Sequence, residues 1–307
     1  KQKLIEILNK DKYDIVQLEM TYMAPYIETI RSHSDALIVL RAHNVEHLIW
    51  DRIAKKTNFP LKKWYLKHLV RTLKEYELNA INKVDGIAAI TYRDAAFFRG
   101  ETAIPVIDIP FGVNPEEFTP CYEINERPTL YHIGSMNWMP NTEGIKWFLK
   151  NVWSKLHERE PDIQLNLAGR NTPKWMKKLK MKNVNVYGEV PDAKEFIKNN
   201  DIAIVPLLSG SGIRIKIIES LAMGKTVITT TIGAEGIQYS EYNNIIIADT
   251  PTKIVETICR ITKDPEEIRR IGRNARKLIE DLYDNKKIID RLLIFYDEIS
   301  KTKKDLT

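Results

Sequence analysis

The chain has 307 residues, enough for about two domains that each bury a core, so a small scaffold held together by disulfides or a metal is excluded. Hydrophobic residues make up 43% and charged residues 29%, and no apolar run approaches the roughly 18 to 20 residues that a membrane-spanning helix needs. Lys and Arg outnumber Asp and Glu by 47 to 41, and the net charge of +6 favours an anionic partner, whether phosphate, nucleic acid or acidic lipid.

The chain opens on KQKLIEILNK, which has neither an initiator Met nor the apolar centre of a signal peptide and reads as the middle of a helix, so a fragment of a longer protein is expected. Four apolar, β-branched runs follow, IVQLE (15–19), ALIVLRA (36–42), GIAAIT (86–91) and VIDIP (106–110), and they predict strands. One long helix is predicted between the second and third, because Leu66, Leu69, Val70 and Leu73 form an apolar stripe. Its other side carries Lys63, Lys67, Arg71 and Lys74. That stripe reads first as a solvated face, and second as a contact with acidic lipid headgroups. No recognised reader motif accompanies the charge, so nucleic acid is not expected. The segment 111–128 holds three prolines and one glycine and cannot run as one element; the domain boundary is placed there.

The second half repeats the rhythm with LYHIGS (130–135), IQLNLAG (163–169), VNVYG (184–188), IAIVPLL (202–208), TVITT (226–230) and NIIIAD (244–249). Helices are predicted at 142–157, 174–181, 191–199, 213–223, 252–262 and 265–282, with Asn141 and Asp192 as candidate caps. A last amphipathic segment, 286–300, places Ile289, Leu292, Leu293 and Tyr296 on one face. Strands alternating with helices define an α/β protein built on parallel, doubly wound sheets. Domains are expected at 1–122 and 123–285, with 286–307 a helix crossing back to the first. Cys121 and Cys259 lie too far apart for metal or redox spacing, which suits a reducing cytoplasm.

In such sheets ligands bind beyond the C-terminal strand ends. The richest segment is therefore VPLLSGSGIRIKIIESLAMGKTVITTTIGAEG, residues 205–236. Its loop Ser209-Gly210-Ser211-Gly212 can bring bare backbone N–H groups to an anion at the start of a helix. Arg214 and Lys216 add cations at a helix N-terminus, where the dipole alone does not favour them but an anionic ligand does. Read locally, the same residues are equally a tight turn with two solvated cations, and Glu219 a surface carboxylate. Neither G-x-G-x-x-G nor G-x-x-x-x-G-K-[ST] is present, which removes dinucleotide oxidoreductases and P-loop NTPases. No Asp-x-Asp pair occurs to hold a divalent ion against a diphosphate, so no metal or other cofactor is expected.

Residues 128–283, through HIGSMNWMPNTEGIKWF, LNLAGR, VNVYGEVPD and SGSGIRIKIIESLAMGKTVITTTIGAEG, resemble the C-terminal domain of glycosyltransferase family 4, the group 1 glycosyltransferases of GT-B fold. RAHNVEHLIWDRIA, DGIAAITYRDAAFF and IPFGVN resemble the later part of that family's N-terminal domain. The resemblance implies two Rossmann-like domains facing across a cleft, the first lacking its opening βαβ unit and Gly-rich loop. It implies retaining transfer of a sugar from a nucleoside-diphosphate sugar to a glycan or lipid-linked acceptor of the cell surface, in the cytoplasm or at the cytoplasmic membrane face, without a metal.

Residue by residue, Glu219 matches the second of the family's two glutamates, the one on the ribose, while Ser211 stands where the first is expected, which opens the identity of the sugar. The diphosphate-gripping Arg and Lys that follow the first strand of this domain are absent at Ser135 and Asn141 to Glu143. Arg214 and Lys216 are the substitutes, with Gly134, Ser135, Ser209, Gly210 and Gly212 lining the site. Arg170 ends LNLAGR as a further cation, and Glu189 and Val190 occupy the place of the base. His43 resembles the histidine that hydrogen-bonds the transferring sugar. Two other readings stand: an inactive nucleotide-sugar-binding subunit, prompted by Ser211, and a zinc peptidase, because His43 to His47 spell H-x-x-E-H with Glu46 as base.

Overall fold

A computed structural model describes residues 1–210 and 212–304. They fall into two compact units, Lys1–Pro110 together with the chain from Ile288 onward, and Phe111–Lys287. The division lies at 110/111, where the sequence alone suggests 122/123.

The first unit is a parallel sheet in the order β1-β2-β3-β4: β1 (Ile15–Glu19), β2 (Leu37–Ala42), β3 (Gly86–Ala89) and β4 (Val106–Asp108). Helix α1 (Gln2–Lys10) precedes β1, and a 3-10 turn with α2 (Ile27–His33) leads to β2. Where one long helix was expected, two form, α3 (Glu46–Lys56) and α4 (Pro60–Ile81). The apolar stripe is real, but Pro60 lacks an N–H and restricts Phe59 to extended backbone, so the helix restarts at Pro60. Helix α5 (Tyr92–Glu101) connects β3 to β4, capped by the Thr91 hydroxyl accepting from Asp94 N.

The second unit carries six parallel strands in the order β10-β9-β8-β5-β6-β7. They are β5 (Thr129–Ile133), β6 (Gln164–Ala168), β7 (Val184–Gly188), β8 (Ile202–Val205), β9 (Thr226–Thr229) and β10 (Ile246–Ile247). Helices cover both faces, so β8 and β9 are buried throughout and read as continuous apolar or β-branched runs. The helices are α6 (Met139–Phe148), α7 (Ser154–Arg159), α8 (Lys174–Lys177), α9 (Ala193–Lys198), α10 (Ile215–Ala222), α11 (Pro251–Ile261) and α12 (Pro265–Leu282). A π-helical turn at Leu149–Trp153 joins α6 to α7 within the segment predicted as one helix. Asp192 caps α9 as expected, accepting from Lys194 N and Glu195 N. Asn141 does not cap α6, which begins two residues earlier; its side chain is used elsewhere.

Helix α13 (Asn285–Lys304) lays Ile288, Phe295 and Ile299 against Leu37, Val39 and Ala88 of the first sheet. The predicted face is therefore rotated: Ile289 and Leu293 are exposed, and Leu292 and Tyr296 are only partly buried. Among the described residues no helix is long and apolar enough to cross a membrane.

Candidate functional site

In the second sheet the chain steps outward from β5 to β7 in one direction and from β8 to β10 in the other. The reversal lies between β5 and β8, where an open parallel sheet leaves a crevice at its C-terminal edge. A cavity of about 350 Å³ opens there. Its walls are the segments that follow the strands: Gly134 and Ser135 after β5, Gly169 and Arg170 after β6, Glu189 and Val190 after β7, with Lys216 and Glu219 from α10. Seven residues singled out from the sequence thus line one cavity: Gly134, Ser135, Arg170, Glu189, Val190, Lys216 and Glu219.

Helix α10 is fixed under this cavity from below. Tyr131 of β5 donates to the Ser220 hydroxyl at 2.9 Å, and that hydroxyl donates to the Lys216 carbonyl at 2.8 Å. Lys216 then turns its side chain inward. Its ammonium donates to Asn141 Oδ1 and lies 3.5 Å from His132 Nε2. His132 Nδ1 is 2.8 Å from the Ile204 carbonyl, so Nδ1 carries the proton and Nε2 is the lone pair that faces Lys216. Burial holds His132 neutral, pushing its pKa down to about 3, with Lys216 adding to the effect. Burial, and the nearby Arg214 charge, bring Lys216 down to about 7. An ammonium has three hydrogens. Two are directed at Asn141 and His132, which leaves the third for the cavity that Lys216 lines.

Gly134 is what permits this approach, since a Cβ there would sit 2.6 Å from the Lys216 ammonium. Neither His132 nor Asn141 was identified as a site residue from the sequence. A histidine in the middle of the buried strand TLYHI was the available signal, because a buried imidazole has to be hydrogen-bonded.

Glu219, one turn beyond Lys216, is half-buried at the cavity wall. Burial raises its carboxyl pKa, partly offset by Lys194. Arg214 is placed differently from the expectation. It is the N-cap residue of α10 and is 4% exposed, and it does not line the cavity. Its Nη1 donates to the Gly212 carbonyl at 2.7 Å, and the guanidinium lies 5.4 Å from the Trp138 ring centroid. Ser209 donates to Glu143 at 2.9 Å, and Gly210 and Gly212 take φ of +119° and +82°. Ser209, Gly210 and Gly212 thus lie against α6 and Arg214 and do not line the cavity; Ser211 lies outside the described residues.

His43 belongs to the first unit, just beyond β2. Its Nε2 is 2.7 Å from Glu19, the last residue of β1, and Arg41 Nε lies 4.0 Å from the same carboxylate oxygen. The zinc arrangement does not form. It requires both imidazoles on one helical face, but α3 begins at Glu46 and leaves His43 outside. His47 is instead bound at 2.6 Å to Glu77, a fully buried carboxylate of α4 that also accepts from Glu46 N at 3.0 Å. No group of three potential metal ligands occurs among the described residues. Glu77 closes the N-terminus of α3, so Glu77→Gln is expected to cost about 2 kcal/mol of stability, measured by denaturant unfolding; an unchanged midpoint would remove this role.

An open α/β sheet with a cavity at its reversal point, lined by a lysine and a carboxylate from one helix, defines a doubly wound domain with a candidate binding crevice. Residues 127–264, within the second unit, match the family model for glycosyl transferases group 1. The chain is also similar to an uncharacterized 44.6 kDa protein in the cps region of Klebsiella pneumoniae, 24% identical over 307 residues that span 95% of this chain and 76% of that protein. Among solved structures it is similar to sucrose-phosphate synthase from Thermosynechococcus elongatus, with a TM-score of 0.70 and 16% identity over 98% of this chain and 78% of that one. It is similar as well to HepE from Anabaena, solved with UDP-glucose, with a TM-score of 0.65 and 12% identity over 99% and 81%. The fold is that of the GT-B glycosyltransferases.

Proposed function

We propose that this protein transfers a sugar, with retention of anomeric configuration, from a nucleoside-diphosphate sugar to a glycan or lipid-linked acceptor of a cell-surface polysaccharide. The observation that carries the reading is Lys216, whose ammonium is delivered beside Asn141, in the segment after β5 where the resemblance expects a cation and the sequence has none. The lysine is supplied from α10 instead. A leaving diphosphate gains about one negative charge as the sugar departs, and a cation fixed in a partly desolvated cavity stabilises that charge without reorganising. The backbone N–H of Ser135 shares this role, and no metal or other cofactor is assigned a part.

Glu219 accepts from the ribose hydroxyls, while Glu189 and Val190 border the base. His43, oriented by Glu19 through Nε2, accepts a hydrogen bond at Nδ1 from a hydroxyl of the transferring sugar, and the leaving phosphate assists deprotonation of the acceptor hydroxyl on the same face. Arg214 acts through the loop it braces, by holding the Gly212 carbonyl. Arg170 supplies positive charge at the cavity rim. The relative in a cps region supports a polysaccharide destination, and the HepE complex supports a UDP-sugar as the first donor to try.

A thermal-shift screen of nucleoside diphosphates and their sugars, followed by incubation with labelled donors and simple acceptors, tests the proposal, since a ligand of the native state raises its melting temperature. No shift with any of them overturns it. A shift without turnover on any acceptor leaves a nucleotide-sugar-binding subunit. Glu219→Ala is expected to weaken nucleoside-diphosphate binding by about 10- to 100-fold with an unchanged melting temperature, read by calorimetric titration; unchanged affinity would remove the ribose assignment.

A further inference from the structure

The tip of the α3–α4 hairpin combines two features that rarely coincide on a protein surface. Helix α4 turns Leu66, Glu77, Ala80 and Ile81 inward. With a turn of 3.6 residues, Leu61, Trp64, Tyr65 and His68 fall on the opposite side. Phe59, at the N-cap, and Leu61, Trp64 and Tyr65 are between 59% and 73% exposed, and the Trp64 and His68 rings stack outward at 6.5 Å. A solvated helix face has no reason to carry four large apolar side chains in seven positions. Around them positive charge predominates, with Asp51 and Glu75 at the margins paired to Lys55 at 2.6 Å and to Arg71 at 3.1 Å. Residues 52–74 contain eight Lys or Arg and neither Asp nor Glu, and Lys55, Lys56, Lys62, Lys67, Arg71 and Lys74 are exposed.

We infer that this tip is a docking surface for an anionic lipid bilayer. Trp and Tyr rings sit at the level of the headgroups, with Phe59 and Leu61 entering the acyl boundary, and the surrounding ammonium groups meet the negative surface potential. Charge complementarity decides the occupant. A two-fold contact between copies would set the same lysines against each other, and a protein partner would need an acidic surface with a matching recess, whereas a bilayer offers apolar depth and negative charge together. The inference does not depend on the sugar-transfer reading, because it concerns only the first unit's surface.

The test is co-sedimentation of the whole protein with vesicles of phosphatidylcholine, alone or with about one-third phosphatidylglycerol, at roughly 0.05 and 0.5 M salt. Binding is expected to be at least about 10-fold stronger on the anionic vesicles and to fall sharply at the higher salt. Replacing Leu61→Ser with Trp64→Ala should reduce it about 10-fold or more, and Lys62→Glu with Lys67→Glu should erase the preference for anionic lipid. Both variants are at exposed positions and should keep the melting temperature and nucleoside-diphosphate affinity of the parent, so loss of vesicle binding is separable from misfolding and from the donor site. Equal sedimentation with both vesicle types, or binding that survives the Leu61→Ser, Trp64→Ala change, overturns the inference. So does a concentration-dependent dimer that the same change abolishes in the absence of vesicle binding, which would give the face to a second copy.

Discussion

Replacing Lys216 with Met is expected to weaken nucleoside-diphosphate binding by roughly 100-fold or more while leaving the protein as stable as the parent, or more stable. The two effects share one cause. The ammonium is drawn inward, and burial brings it to about pH 7 from its ordinary 10.5. The unfolded chain therefore binds a proton between pH 7 and 10.5 that the folded chain does not, so this lysine lowers stability below pH 7, and the penalty fades as pH rises towards 10.5. Met removes the penalty and with it that slope. A diphosphate favours the charged form, so donor binding near pH 8 should take up a proton, and affinity should fall as pH climbs above 7. Calorimetry in buffers of different ionisation enthalpy reads the uptake directly. Equal affinity in Lys216→Met, or no proton uptake in the parent at pH 8, would show that the diphosphate is held elsewhere.

Gly169→Ala is expected to be the most damaging single-methyl change in the second unit. Gly169 takes φ of +153°, and a Cβ there would lie 1.7 Å from the Gly134 carbonyl oxygen. Neither neighbour can yield cheaply, because Gly169 N donates to Gly188 at 2.6 Å and Gly134 N donates to Ala168 at 3.1 Å. Strain at that φ and displacement of two strand ends together should cost about 4 kcal/mol or more, or roughly 10 °C in melting temperature. The loss should appear in the transition of the second unit, and nucleoside-diphosphate binding should disappear with it. A melting temperature within about a degree of the parent would mean that the segments after β5 and β6 are not held this close.

Much of this fold is written in local pattern. Nine of ten strands lie within a residue or two of runs visible by eye, because a parallel sheet covered on both faces needs apolar, β-branched stretches. The cavity was legible too, since the residues after successive parallel strands have to gather at one edge. What escaped is what depends on distant partners. Asn141 looks like a cap, and only the fold shows that it meets a lysine 75 residues away. Arg214 looks like a phosphate ligand, yet it is turned back onto its own loop and Trp138. Glu19 and Glu77 carry no motif at all, and they become meaningful only when His43 and His47 are brought against them. The faces of α13 were misread because every side of that helix carries some apolar residue, and periodicity cannot say which side finds a sheet.

The docking of α13 on the first sheet also orders events in time. Phe111–Lys287 is contiguous in the chain, whereas the first unit draws Ile288, Phe295 and Ile299 from the other end. During synthesis the second unit has all its strands and helices before the ribosome reaches the segment that completes the first. The earlier half of the protein is therefore the later to mature, and until its last helix arrives Leu37, Val39 and Ala88 remain uncovered.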